Sequence, residues 1–239
     1  MRVQFVDCRW QLGHPEVGRE LYLGGHIPGA SFLDVERELS APPGGAEGGR
    51  HPLPAPEDFA RAAGAAGIGN DSLVVAYDQG MNGGAARLWW LLRHFGHDDV
   101  AVLRGGLDDW LGPLRTGEEH IEAADFPLQP RDDVVSAEEI EERLGKPGFV
   151  LVDARAAERY RGEVEPIDPV AGHIPGAVNM PYTAEPSAVD PDAEVAVYCG
   201  SGITAAVTVL ALEGAGVEAK LYPGSWSEWS SRGLAVERG

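Results

Sequence analysis

Cysteine is scarce in this chain of 239 residues, which carries only Cys8 and Cys199. Two thiols do not make a disulfide framework, and a reducing cytoplasm is the expected setting. Long apolar runs are missing too. Although 44% of the residues are hydrophobic, no run of about 18 apolar residues is available to span a bilayer. The opening segment places Asp7 and Arg9 where a secretory signal needs its apolar stretch, so export is not expected. Basic residues are outnumbered, 19 Lys and Arg against 38 Asp and Glu, for a formal charge of −19. Nucleic acid and acidic membranes repel such a surface unless basic residues cluster, and no cluster occurs; neither is expected as a partner. An anion site would have to be built locally from backbone amides and a few arginines. The chain also lacks a dinucleotide fingerprint and metal-ligand spacing among its histidines, so no metal or organic cofactor is expected.

What is present is repetition. Val6-Asp7-Cys8-Arg9 returns as Val152-Asp153-Ala154-Arg155, and Gly25-His26-Ile27-Pro28-Gly29-Ala30 as Gly172-His173-Ile174-Pro175-Gly176-Ala177. Val74–Tyr77 is matched by Val195–Tyr198, and Gly105–Trp110 by Gly224–Trp229. Matches in the same order mean a duplicated domain. The expected division is residues 1–117, a linker over 118–133 interrupted by Pro127 and Pro130, and residues 134–239. In each half, short apolar runs such as 73–77 and 195–198 alternate with helical segments such as 85–95 and 204–213. That pattern predicts an α/β fold, two tandem domains each with a mostly parallel sheet flanked by helices.

Duplication also separates architecture from chemistry. His26 and His173 look like general bases, but each sits in the same turn, and a role in the fold is the better reading. Asp7 with Arg9 and Asp153 with Arg155 read as charge pairs organising a strand end. The halves part after the matched tyrosines, where the first has Asp78 and the second Cys199. Ligands collect where a strand's carboxyl end turns into a helix N-terminus. There the run Cys199-Gly200-Ser201-Gly202-Ile203-Thr204 precedes a helical segment, and its glycines let N–H groups curl inward as an anion cradle that stabilises a thiolate. Cys8, in strand-like sequence, is expected to pack as a small hydrophobe. Phosphatases and arsenate reductases place an arginine six residues after such a cysteine; here that position is Ala205. The tight loop suits a smaller target, a sulfur atom held as a persulfide.

Over nearly its whole length the chain resembles the tandem rhodanese family of thiosulfate and mercaptopyruvate sulfurtransferases, in which the N-terminal domain has lost its cysteine. The resemblance implies a sulfurtransferase with catalytic Cys199, its loop (Gly200, Gly202, Ile203, Thr204) and Arg159 holding the donor. The loop looks like the mercaptopyruvate type, since Gly200 and Ser201 replace the basic pair of animal rhodaneses acting on thiosulfate. Thiosulfate as donor, and a persulfide carrier without turnover of its own, are the alternatives. The resemblance further implies that Ser201 works with His51 across a domain cleft and with an acidic residue, here Glu36. A second arginine found in family members specialised for mercaptopyruvate is replaced by Ile167. Implied partners are a small-molecule sulfur donor and an acceptor such as cyanide, a small thiol or thioredoxin. The stretch 181–194 is too short for the helix expected between Ala55 and Ala66 in the first half, which should leave the active domain trimmed.

Overall fold

The computed structural model describes residues 1–80, 82–186, 189–190 and 192–239. The chain forms two compact units, one of Met1–Ala41 with Pro54–Asp132, the other of Pro42–Leu53 with Asp133–Gly239. The units are therefore not contiguous halves. Residues 118–132, expected as a linker, belong to the first unit because their backbone is used there: Ala124, Gln129 and Arg131 donate to Gly64, Phe95 and His94 carbonyls at 2.8–2.9 Å. Phe126 adds an edge-to-face contact with Phe59. The insertion Pro42–Leu53, which lies inside the first sequence repeat, folds as part of the second unit.

The first unit runs β1 (Arg2–Asp7), α1 (Val17–Gly24), β2 (Ser31–Phe32), α2 (Pro56–Ala65), β3 (Ser72–Tyr77), α3 (Gly84–His94) and β4 (Val100–Val102), ending in a 3-10 turn at Gly106–Asp109. Its four strands are parallel in the order β2-β1-β3-β4. The second unit runs α4 (Ala137–Arg143), β5 (Phe149–Asp153), α5 (Ala157–Tyr160), β6 (Val178–Asn179), β7 (Glu194–Tyr198), α6 (Ala205–Gly214), β8 (Ala219–Leu221) and α7 (Ser225–Ser231). Its order, β6-β5-β7-β8, is again all parallel. Such sheets are covered on both faces, and their apolar strands show it: Val195 to Tyr198, which point alternately to the two faces, are all buried. Local signals agree with the elements. Pro56 opens α2, where its missing N–H is harmless, and Ser136 with Glu139 forms a capping box on α4. No helix is assigned among the described residues of 181–194; Ser187, Ala188 and Pro191 of that stretch lie outside the described residues.

The repeated motifs form one device twice. In the first unit Arg9 grips Asp7 at 2.6 Å and donates to the Gly25 carbonyl at 2.6 Å; in the second, Arg155 grips Asp153 at 2.6 Å and donates to Gly172 at 2.7 Å. His26 Nδ1 stands 2.7 Å from the Tyr22 carbonyl and stacks on that tyrosine, as His173 does with Tyr160. The amides of Ile27 and Ile174 donate to the hydroxyls of Tyr77 and Tyr198. These histidines and ion pairs thus pin a turn to the sheet in both units. Among the described residues no helix is long and apolar enough to cross a membrane.

Candidate active site

Cys199 follows β7, and the loop Gly200–Thr204 carries the chain into α6. The loop backbone is held where it leaves β7. The first amides of α7 clamp its carbonyls, Trp226 N–H donating to Cys199 O at 3.0 Å and Ser227 N–H to Gly200 O at 2.9 Å. Cys199 N–H donates to Ser225 Oγ at 3.1 Å. Inside the curl, Gly202 N–H donates to Cys199 Sγ at 3.1 Å. Gly202 has φ +80°, and a β-carbon there would stand 2.5 Å from the Pro223 carbonyl oxygen, so this turn requires glycine. Ile203 is buried and Thr204 sits at the start of α6, so both shape the turn.

Cys8 offers the contrast. It is fully buried, its Sγ faces the Val6 carbonyl at 4.0 Å, and burial, with the charges of Asp7 and Asp78, pushes its thiol well up. A thiol so held is an inert packing group.

Around Cys199 the second unit gathers a set of charges. Arg159 on α5 bonds Glu165 at 2.6 Å and Asp168 at 3.3 Å, and Arg155 reaches Glu165 at 3.3 Å. Glu165 and Asp168 lie on a segment that the first unit lacks: Gly24 and Gly25 are adjacent there, whereas residues 163–171 separate Gly162 from Gly172. The tyrosine–histidine stacks align Tyr160 with Tyr22, so the counterpart of Arg159 is Leu21. Burial pushes the Glu165 carboxyl up, but hydrogen bonds from Arg159 and the amides of Asp168 and Ile167 outweigh it and hold the group below the usual carboxylate range.

Sequence reasoning missed Arg50. Its backbone amide donates to Ser227 Oγ at 3.0 Å and its Nη1 bonds Asp168 at 2.8 Å. Arg50 Nη2 and Arg159 Nη1 each lie 3.4 Å from where a β-carbon of Gly200 would stand. Two guanidiniums therefore overhang the residue next to the thiol. Arg50 Nε is buried with no hydrogen-bond partner among the described residues, which marks an unfilled donor. Ile167 is 44% exposed. The only sequence signal for Arg50 was a basic residue next to His51 in a strongly acidic chain.

His51 Nδ1 lies 2.7 Å from Ser201 Oγ, and both residues are buried. The contact forms within the second unit, because Pro42–Leu53 packs there, and not across a cleft between sequence halves. Glu36 belongs to the first unit, where its amide donates to Asp34 at 2.8 Å. Among the described residues no group of three or more His, Cys, Asp or Glu is placed to hold a metal ion.

Comparison with known proteins places the chain in a family. A model of the rhodanese-like domain matches residues 1–112 and again 136–232. A Pseudomonas aeruginosa protein named "Probable 3-mercaptopyruvate sulfurtransferase" is 44% identical over 249 residues, covering 94% of this chain and 88% of the relative. A Mycobacterium tuberculosis protein carrying the name of a thiosulfate sulfurtransferase is 40% identical over 253 residues, covering 96% of this chain and 88% of the relative. The crystal structure of a 3-mercaptopyruvate sulfurtransferase from Escherichia coli superposes with a TM-score of 0.80 at 34% identity, covering 94% of this chain and 92% of that one. With two such domains, a thiol in the loop of only the second, and these relatives, the chain belongs to the rhodanese family and is a sulfurtransferase.

Proposed function

We propose that the enzyme moves a sulfane sulfur from 3-mercaptopyruvate to a thiophilic acceptor through a persulfide on Cys199. The observation that carries this reading is the pair of guanidiniums, Arg50 and Arg159, overhanging Gly200 beside the thiol. A planar fork of N–H donors fits a carboxylate. With the carboxylate there, the donor's sulfur can reach Cys199.

In the first step the Cys199 thiolate attacks the sulfhydryl sulfur of mercaptopyruvate. A sulfur–sulfur bond forms, the carbon–sulfur bond breaks, and its electron pair leaves on carbon as the enolate of pyruvate. That enolate takes up a proton to give pyruvate. His51 and Ser201, 2.7 Å apart, are suited to deliver it, the hydroxyl giving its proton while the imidazole replaces it. Glu36 is proposed as the acidic partner of this relay. Gly200, Gly202, Ile203 and Thr204 supply the loop amides around the sulfur. In the second step an acceptor thiolate or cyanide attacks the outer persulfide sulfur and frees the Cys199 thiolate. Thioredoxin is one such acceptor. The mechanism draws on no cofactor, and the reducing cytoplasm is the proposed setting.

Charge favours mercaptopyruvate over thiosulfate. Three arginines (50, 155 and 159) face three carboxylates (Asp153, Glu165 and Asp168), so the cluster is close to neutral and better matched to a monoanionic donor than to a dianion. Steady-state rates with each donor, cyanide as acceptor, test the reading; a higher kcat/KM for thiosulfate overturns the donor. Intact-mass measurement tests the intermediate: mercaptopyruvate alone should add one sulfur, about 32 Da, to the protein and none to Cys199→Ser. An adduct that forms only with a partner protein would make the chain a carrier.

A further inference from the structure

Ser225 is the one residue other than glycine, among the described residues, with a left-handed backbone, φ +53°. An L-residue with a β-carbon is strained there, and such strain persists only where the surroundings impose it. Its counterpart in the first unit is Gly106, φ +62°, a residue that adopts the same conformation without strain. The fold thus needs a left-handed residue at this point in both units, and only the unit with the thiol puts a side chain on it.

That side chain is fully buried and placed against the nucleophile. Ser225 Oγ accepts from Cys199 N–H at 3.1 Å and donates to the Tyr222 carbonyl at 2.9 Å, so its single proton and one lone pair are both used. The neighbouring amide of Trp226 holds Cys199 O at 3.0 Å, which fixes the two faces of the Cys199 backbone from one helix start. The first unit has the carbonyl half of this clamp, Leu107 N–H to Asp78 O at 2.9 Å, while Gly106 has no hydroxyl to offer. A β-carbon on Gly106 would come within 2.4 Å of Asp78 O, so the first unit has no room for a serine there.

We infer that Ser225 is a positioning residue, which fixes the backbone of Cys199 so that Gly202 N–H meets the sulfur, and that its strained conformation is retained for that purpose. The inference rests on Cys199 being the nucleophile. It makes no contact with the donor necessary, so its effect belongs to kcat and to persulfide formation rather than to donor binding.

Two substitutions in the full-length protein separate strain from hydroxyl. Ser225→Ala keeps the strained β-carbon and removes the bond to Cys199; Ser225→Gly removes both. Both should lower kcat, and the single-turnover rate of persulfide formation from mercaptopyruvate, by about tenfold to a hundredfold, the scale expected for a misplaced reacting group. KM for mercaptopyruvate should stay within about twofold of the parent. Ser225→Gly should melt no lower than Ser225→Ala, and it carries the test by itself if the alanine variant does not fold. Parental kcat in either folded variant overturns the inference, as does a raised KM with unchanged kcat. An adduct forming on Cys199 at the parental rate in these variants overturns this inference alone. No adduct in the parent overturns it together with the persulfide reading.

Discussion

The loops after Tyr77 and Tyr198 leave equivalent strands and enter their helices after the same number of residues, yet they hold different side chains. In the first unit the anion is built in: Asp78 Oδ2 accepts from the amides of Gly83 and Ala85 at 3.2 and 3.1 Å, capping α3 with the protein's own carboxylate. In the second the corresponding position is a thiol that receives Gly202 N–H. The same strand–loop–helix geometry therefore serves as a filled cap in one unit and a reaction site in the other. The second difference is supply of positive charge. Leu21 stands where Arg159 does, and the first unit has no counterpart of the acidic segment 163–171 that braces the arginines.

The comparison breaks most visibly at the thiol. Cys199→Ser should lower mercaptopyruvate-dependent turnover by at least about a thousandfold, since the nucleophile is removed and only binding remains. Adding Asp78→Cys to that variant should not restore turnover, because Leu21 stands in the first unit where Arg159 stands in the second; measurable pyruvate release from the double variant would show that the loop alone suffices. Arg159→Ala comes next. It should reduce kcat/KM for mercaptopyruvate by about a hundredfold, equivalent to about 2.7 kcal/mol, by removing charged hydrogen bonds to the donor. Arg159→Lys should recover little, because an ammonium does not reproduce the fork. An unchanged KM in Arg159→Ala would remove it from donor binding.

How much of this was legible follows from where each signal lives. The duplicated motifs carried the two sheets, the pinned histidines and the Cys199–Asp78 contrast, because a repeat reports on long-range equivalence without needing long-range contacts. Arg50 was not legible. Pro42–Leu53 has no periodicity of its own, and its packing in the second unit depends on distant partners, Ser227 and Asp168. Residues 118–132 misled for a related reason: prolines and charges read as a linker, while their backbone groups bond to α2 and α3 ends and only Phe126 hinted at burial. Ser225 could be aligned with Gly106 but not seen as strained, since φ is invisible in a residue name.

Smaller effects sharpen the comparison on the stability side. Asp78→Ala should destabilise the first unit by about 1–2 kcal/mol through the lost cap, read from its denaturant midpoint, with sulfur transfer unchanged. Asp78→Asn should recover much of that loss, since its side-chain oxygen still accepts from Gly83 and Ala85. A matching loss of turnover in Asp78→Ala would contradict the view that the first loop is purely architectural.

The smallest expected effect is a difference in acid sensitivity. Glu165 has its folded pKa held below the unfolded value, with the bonds from Arg159 and the two amides outweighing burial. A depressed carboxylate stabilises the fold above its unfolded pKa, about 4.3, and that contribution is lost as pH falls through the lower folded value. Acidification should therefore weaken the second unit below about pH 4.3, as Glu165 takes up a proton and releases Arg159. Glu165→Gln should flatten this part of the stability profile while lowering stability at neutral pH, where Arg155 and Arg159 would lose a charged partner. Thermal melts from pH 7 to 3 check it. Parallel acid profiles for the parent and Glu165→Gln would mean that the segment 163–171 only positions the arginines sterically, and the charge contrast between the two units would then lie in Arg159 and Leu21 alone.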